Sequence, residues 1–146
     1  MNYLSILAFF LFLSCDSQIN SKRTEVQFED VYHHYFNLTS EKFLILDSQE
    51  KVDKLYEEIG NHYGGKRSPP IPQVNSEEKF VLFKPILKNT NDVQILKVEL
   101  ENNDLFIKTK PFYNPENPEN NRVAPYILIK VYTNQNIKKV ITENFN

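Results

Sequence analysis

Histidine is the side chain best suited to acid–base chemistry and to metal binding near neutral pH, and this chain has three. His33 and His34 are adjacent in the sequence. Neighbouring side chains on a strand point to opposite faces, so these two cannot both bind one metal ion at ordinary geometry. His62 lies far along the chain, within a predicted flexible loop. We therefore predict surface histidines, no metal site and no cofactor.

Acidic side chains are plentiful, but none of their pairs forms a recognisable acid–base motif. Glu57 and Glu58, for example, are typical of solvated charge on a helix. Residues 64–66 read Gly-Gly-Lys, yet the strand and helix that flank a phosphate-binding loop are missing, which favours a basic turn. An enzyme would require polar groups that converge in a cleft, and a histidine beside two carboxylates would be its first sign. The sequence predicts no catalytic residues and no enzyme.

The chain has one cysteine, Cys15, which excludes an intrachain disulfide. An almost unbroken apolar stretch covers residues 4–13, about half the length of a bilayer-crossing helix and typical of a signal-peptide core. The stretch Phe12, Leu13, Ser14, Cys15 resembles the bacterial lipobox. The resemblance implies that residues 1–14 are a cleaved lipoprotein signal peptide and that the Cys15 sulfur carries two acyl chains, with a third on its amine. Two or three chains are enough for stable anchoring in a membrane.

The chain of 146 residues allows one domain after the signal peptide. Its net charge of −2 provides no positive field for a phosphate backbone, so nucleic acid is not an expected partner. Residues 15–24 are polar and are predicted to form a flexible tether, and residues 25–146 a single domain. We expect this domain to lie outside the cytoplasm, in a bacterial cell envelope.

One amphipathic helix is predicted after a short apolar strand at residues 43–46. Asp47 as the N-cap with Glu50 three residues later fits a capping box. An apolar stripe follows at helical spacing, and it consists of Val52, Leu55, Tyr56 and Ile59. Gly60 is expected to end the helix.

Strands account for most of the remaining chain. A partly alternating stretch predicts one strand within residues 25–36, and later apolar stretches predict five more, at 79–84, 93–100, 105–110, 126–132 and 137–141. Asn102 and Asn103 are expected to form a tight hairpin turn, because Asn tolerates a positive φ. Residues 61–76 contain several Gly and Pro and are predicted to be a long exposed connection without regular structure. Residues 111–125 are rich in Pro and Asn and are predicted to be an extended loop that cannot pack. The fold class is α+β, mainly an antiparallel sheet with one helix packed on it.

Residues 43–131 resemble the C-terminal domain of the PrcB family of protease-complex subunits. The likeness rests on the strand that leads into Asp47, on the strand at residues 80–83 and on Pro125 and Tyr126 before a long strand. The resemblance implies a binding role, because members of that family are thought to hold an envelope protease complex together without cutting anything themselves.

Two functions from different classes follow as expectations. The first is a membrane-anchored, non-catalytic protein-interaction module whose loops 61–76 and 111–125, with an exposed sheet edge, contact an envelope protein. The alternative is a carrier of a small ligand, bound in a pocket between helix and sheet. The pocket would be lined by aromatic side chains, for which the candidates are Tyr56, Phe80, Phe83 and Phe106.

Overall fold

The computed structural model describes residues 22–64, 69–117 and 124–145. The predicted signal peptide, Cys15 and the tether as far as residue 21 lie outside these ranges. The described chain contains, in order, β1 (Thr24–Glu25), β2 (Phe28–His34), β3 (Phe43–Leu46), α1 (Gln49–His62), β4 (Glu78–Phe83), β5 (Asp92–Glu101), β6 (Asp104–Phe112), β7 (Tyr126–Tyr132) and β8 (Lys139–Asn144). No helix among the described residues is long and apolar enough to cross a membrane.

The strands form two four-stranded sheets, which we call sheet A and sheet B. Sheet A has the order β1-β5-β6-β8 and sheet B the order β2-β7-β4-β3. All pairs are antiparallel except β6 with β8, which is parallel. The predicted α+β class, with a mainly antiparallel sheet and one helix, is confirmed. The chain crosses between the two sheets after β1, β4, β6 and β7, so neighbouring strands in the sequence often belong to different sheets.

The two central strands of sheet B are buried on both faces, because sheet A covers one face and α1 the other. Val81 of β4 and Ile129 of β7 face sheet A within the first apolar cluster. Leu82 and Leu128 face α1 within the second cluster. This arrangement explains the continuous apolar stretches of both strands, since a strand with one exposed face would alternate with polar residues.

The helix uses the predicted apolar stripe, but both of its predicted ends are wrong. Its N-cap is Ser48, without a side-chain hydrogen bond, and the Asp47 carboxylate instead accepts a hydrogen bond from Lys51 at 2.7 Å. The helix runs through Gly60 to His62. The left-handed residue that a helix end favours is Gly64, with a φ of 61°.

The other local predictions were closer. Asn102 and Asn103 both have positive φ, 50° and 72°, at the turn between β5 and β6, which confirms the predicted hairpin. The folded part begins before residue 25, because the Arg23 guanidinium lies 3.6 Å above the Phe106 ring. It also donates a hydrogen bond of 3.0 Å to Glu143 on β8. Arg23 therefore connects the start of the domain to β6 and β8 on the outer face of sheet A.

Candidate functional site

A cluster of polar side chains lies where β2 ends, β5 begins and the loop after β6 returns to the sheets. A bulge in β2 between Asp30 and Tyr32 makes the cluster possible. In a regular strand Asp30 and His33 would point to opposite faces. The bulge adds one residue, so that Asp30 lies opposite Ile129 and His33 opposite Ile127, and both face sheet A.

Asp92 is the centre of this cluster and is completely buried. Its Oδ1 accepts hydrogen bonds from His33 Nδ1 at 2.7 Å and from the Val93 backbone N–H at 2.8 Å. Its Oδ2 accepts one from the Tyr35 hydroxyl at 2.7 Å and one from Asn114 Nδ2 at 2.8 Å. Burial alone would raise the pKa of Asp92, but these donors outweigh burial and lower it. The buried carboxylate is therefore ionised and fully hydrogen-bonded.

The His33 ring is held between two carboxylates. Nδ1 faces Asp92, and Nε2 lies 3.1 Å from Asp30 Oδ2. Burial disfavours the charged imidazole, yet the hydrogen bonds to Asp30 and Asp92 outweigh it and raise the pKa of His33 to about 9. The ring is thus an imidazolium at neutral pH that donates from both nitrogens. It balances the buried charge of Asp92.

The first part of the loop after β6 packs onto the domain, although it was predicted to be unable to pack. Asn114 exchanges two hydrogen bonds with Asn91, of 2.6 and 2.8 Å. Asn117 is 1% exposed, and its Nδ2 donates to the Asn91 carbonyl at 3.1 Å. Side-chain amides that bond to backbone groups hold this segment in place of apolar burial, which explains why its composition was misleading. Residues 118–123 of the loop lie outside the described parts of the chain.

The polar cluster forms one wall of an open cleft of about 580 Å³. Asp30 and Glu116 are exposed at its mouth, and the cleft also contains Gln94 and Phe112. Phe112 is 40% exposed and its neighbour Tyr113 is 56% exposed. The cleft therefore combines a hydrogen-bonded wall with the exposed ring of Phe112, and Tyr113 adds a second exposed ring next to it in the sequence.

His34 occupies a different environment from His33, in line with the expected alternation. It is 1% exposed, and its ring lies 4.4 Å from the Tyr32 ring and 5.5 Å from the Phe36 ring. Neither ring nitrogen has a hydrogen-bond partner in the described structure. Burial, with a smaller contribution from the charge of His33, lowers the pKa of His34 to about 4. It was predicted at the surface, and that prediction was wrong.

The aromatic side chains proposed for a ligand pocket do not lie together. Tyr56 and Phe80 pack between α1 and sheet B. Phe83 packs between the two sheets, and Phe106 lies under Arg23 on the outer face of sheet A. All four are at most 9% exposed. The predicted pocket between helix and sheet is therefore contradicted at these residues, because they are buried in three different places.

The other predicted contact loop, residues 61–76, is hydrogen-bonded near its C-terminal end to the first residue of α1. Gln49 accepts a hydrogen bond from the Val74 backbone N–H at 2.9 Å and donates one to the Pro72 carbonyl at 3.1 Å. Residues 65–68, which include Gly65 and Lys66, lie outside the described ranges. No feature of the described part of this loop gathers polar groups as the His33 cluster does.

A histidine beside two carboxylates was expected to be the first sign of an enzyme, and His33 fits that description. Both of its ring nitrogens are occupied by carboxylates, however, so neither is available to accept a proton from a substrate. In the described ranges, no group of three or more His, Cys, Asp or Glu side chains is placed to hold a metal ion. The geometry is that of a satisfied structural cluster beside a cleft.

Comparison of the chain with protein-family models, with curated proteins and with solved structures finds no match. Sequence reasoning had singled out His33 but missed Asp92, Tyr35 and Asn114. His33 and Asp92 are 59 positions apart, and Asn114 is a further 22 positions along. No local pattern marks such a cluster, because the packing of sheet A on sheet B brings its members together.

Proposed function

We propose that this chain is a membrane-anchored lipoprotein of a bacterial envelope and acts as a non-catalytic protein-interaction module. Acyl chains on Cys15 hold it at the membrane, and the cleft beside His33 contacts a protein partner. The resemblance to the PrcB family supports a subunit of an envelope protease complex as that partner. The lipobox-like residues 12–15 support the anchor.

The observation that carries the binding role is the exposure of aromatic side chains beside an ordered cleft wall. Phe112 is the last residue of β6 and Tyr113 follows it, and Asn114 fixes the chain after them through its bonds to Asp92 and Asn91. Large aromatic residues on a rigid support are typical of energetically dominant contacts at protein interfaces, because little side-chain entropy is lost when they are buried.

The occupied nitrogens of His33 favour binding over catalysis. A general base near neutral pH needs an imidazole with a pKa close to 7 and a free lone pair. The pKa of His33 is raised to about 9, and its Nε2 faces Asp30. The Tyr35 hydroxyl is a poor nucleophile, because burial and its hydrogen bond to Asp92 raise its pKa.

The test is recovery of the partner from detergent-solubilised envelopes by the tagged full-length chain. Phe112→Ala should lower partner recovery about tenfold, as expected for the loss of an interfacial aromatic anchor. Phe145→Ala is the matched control, because Phe145 is 61% exposed and does not line the cleft. Equal recovery by the two variants would contradict the proposed contact surface.

A small-ligand carrier remains the second candidate, because the cleft of about 580 Å³ has the size of a small-molecule site. Native mass spectrometry of the full-length chain, released from its own envelope, distinguishes the two functions. A carrier would retain a small additional mass that disappears on denaturation. Recovery of a protein partner without any such mass would leave the interaction module as the better account.

A further inference from the structure

The two sheets meet at two edges, and the chain closes one of them more fully than the other. At the β1–β2 edge the chain passes directly from sheet A to sheet B. There the Val26 N–H donates to the Val98 carbonyl at 3.0 Å, and the Tyr132 N–H donates to the Gln27 carbonyl at 3.0 Å. At the opposite edge β8 and β3 are the outer strands, and each pairs with one neighbour only. A groove of about 590 Å³ lies between them. At this less closed edge the Asn144 Nδ2 of β8 donates a hydrogen bond to the Ile86 carbonyl at 3.3 Å.

The apolar core is incompletely covered along this β3–β8 groove. The inward-facing residues of central strands, such as Val81 and Ile129, are fully buried. Phe43 of β3 and Val140 of β8 pack against the same core but are only partly buried. Ile86, which also lines the groove, is 55% exposed. Five of the six residues of β8 are partly buried and none is fully buried, in contrast to the central strands.

The polar lining of the groove carries one sign of charge. Lys42, Lys84 and Lys139 line it, and no acidic side chain does so among the described residues. None of the three ammonium groups forms an ion pair within the described ranges, although that of Lys84 lies 5.3 Å from the centre of the Tyr126 ring. By contrast, Lys97 and Lys108 on the outer face of sheet A both pair with Glu99. The groove is therefore an apolar slot with a positive rim.

We propose that the β3–β8 groove binds an extended, acidic segment of a partner protein, which adds a strand to the open edge of β8. The backbone groups of β8 that face away from β6 supply hydrogen bonds, the partly exposed Phe43 and Val140 receive alternate apolar side chains, and the lysines pair with carboxylates. A second copy of this chain is disfavoured as the occupant, because it would place lysines against lysines. The groove shares no lining residue with the cleft beside His33, so this site is independent of the function proposed above.

The test uses the full-length chain in detergent and two fluorescein-labelled peptides of eight residues, one alternating Glu with Val and the other Lys with Val. Fluorescence anisotropy should show saturable binding of the acidic peptide and at least tenfold weaker binding of the basic one. Binding should weaken as the salt concentration rises, because exposed charges are screened. Equal binding of the two peptides would overturn the charge argument.

The groove variant replaces Lys42, Lys84 and Lys139 by Glu and should lower the affinity for the acidic peptide at least tenfold. The control variant makes the same charge change at exposed lysines elsewhere, namely Lys22, Lys54 and Lys110, and should keep the affinity within twofold. An equal loss in both variants would show a non-specific charge effect and overturn the assignment to the groove. Circular dichroism confirms that both variants fold.

Strand addition has its own test, which needs no substitution in the protein. An acidic peptide that is N-methylated at alternate residues keeps its charge and its apolar side chains but cannot complete the backbone ladder. It should bind at least tenfold more weakly than the unmethylated peptide. Unchanged affinity would refute strand addition. Sedimentation equilibrium without peptide provides a further check, since a dimer abolished by the groove variant would identify a second copy as the occupant.

Discussion

Replacement of His34 by leucine tests an unusual feature of the core, a buried imidazole for which the described residues provide no hydrogen-bond partner. His34 lies between the rings of Tyr32 and Phe36, and Phe36 in turn stacks on His62 at a centroid distance of 4.3 Å. Burial disfavours a proton on His34, and the charge of His33 also repels one, so both lower its pKa. The His34 ring is therefore neutral in the folded protein and becomes charged on unfolding in acid.

The size of the effect follows from the difference between the folded and unfolded pKa values. The pKa of His34 is lowered from 6.5 to about 4 in the folded protein. A lowered pKa means that the unfolded chain binds the proton more tightly, so stability is lost as the pH falls from about 6.5 towards 4. This amounts to about 2 kcal/mol between pH 7 and pH 5 and about 3 kcal/mol by pH 4.

His33 acts in the opposite direction and must be separated from this effect. Its pKa is raised to about 9, so its contribution to stability is complete below about pH 6.5 and is lost as the pH rises through 9. Between pH 7 and pH 5 it adds less than about 1 kcal/mol. The parent protein and the His34→Leu variant share this contribution, so it largely cancels when the two are compared.

The assay is urea unfolding followed by far-ultraviolet circular dichroism, because the chain contains no tryptophan. Between pH 7 and pH 5 the parent should lose about 2 kcal/mol more than His34→Leu, whatever the difference between them at pH 7. Between pH 7 and pH 8 the difference should stay constant, which is the internal control. Equal losses from pH 7 to pH 5 would refute the reasoning, since His34 would then be protonated in the folded state.

Three further substitutions test the cluster, the hairpin and the anchor. Asp92→Asn should lower the free energy of unfolding by about 3 kcal/mol, because it leaves the His33 charge without its buried partner; a loss below 1 kcal/mol in urea unfolding would contradict this. Asn103→Gly should raise stability by about 0.5–1 kcal/mol, since glycine adopts the left-handed conformation without strain; a lower thermal midpoint would count against that turn. Cys15→Ala should leave the precursor uncleaved and without acyl chains, and unchanged acylation by mass spectrometry would exclude the anchor.

The secondary structure was largely predictable because its determinants are local. The stripe from Val52 to Ile59 repeats at helical spacing, and β7 was predicted at its observed bounds from one apolar stretch. The helix ends were wrong because caps depend on competing partners. Asp47 is engaged by Lys51, and Gly64 supplies the left-handed residue that had been assigned to Gly60.

The division of the strands into two sheets was not predictable, because apolar stretches do not specify their partners. β8 follows β7 after a short turn, and a hairpin between them would satisfy the same sequence pattern. The structure instead pairs β8 with β6 in parallel. That single choice leaves β8 at an edge opposite β3 and so creates the groove lined by lysines.

The position of His33 shows why the candidate site required the structure. Strict alternation along β2 would place Asp30 and His33 on opposite faces, and His33 would then have one carboxylate neighbour at most. The extra residue at the bulge turns both towards sheet A, where Asp92 lies. The bulge interrupts the backbone hydrogen-bond ladder at one position. It also allows the ion pair of His33 with buried Asp92, whose carboxylate is bonded by Asn114 as well. The bulge in β2, the His33–Asp92 pair and the segment held by Asn114 are therefore connected by hydrogen bonds. A change to any of them should alter the cleft beside His33.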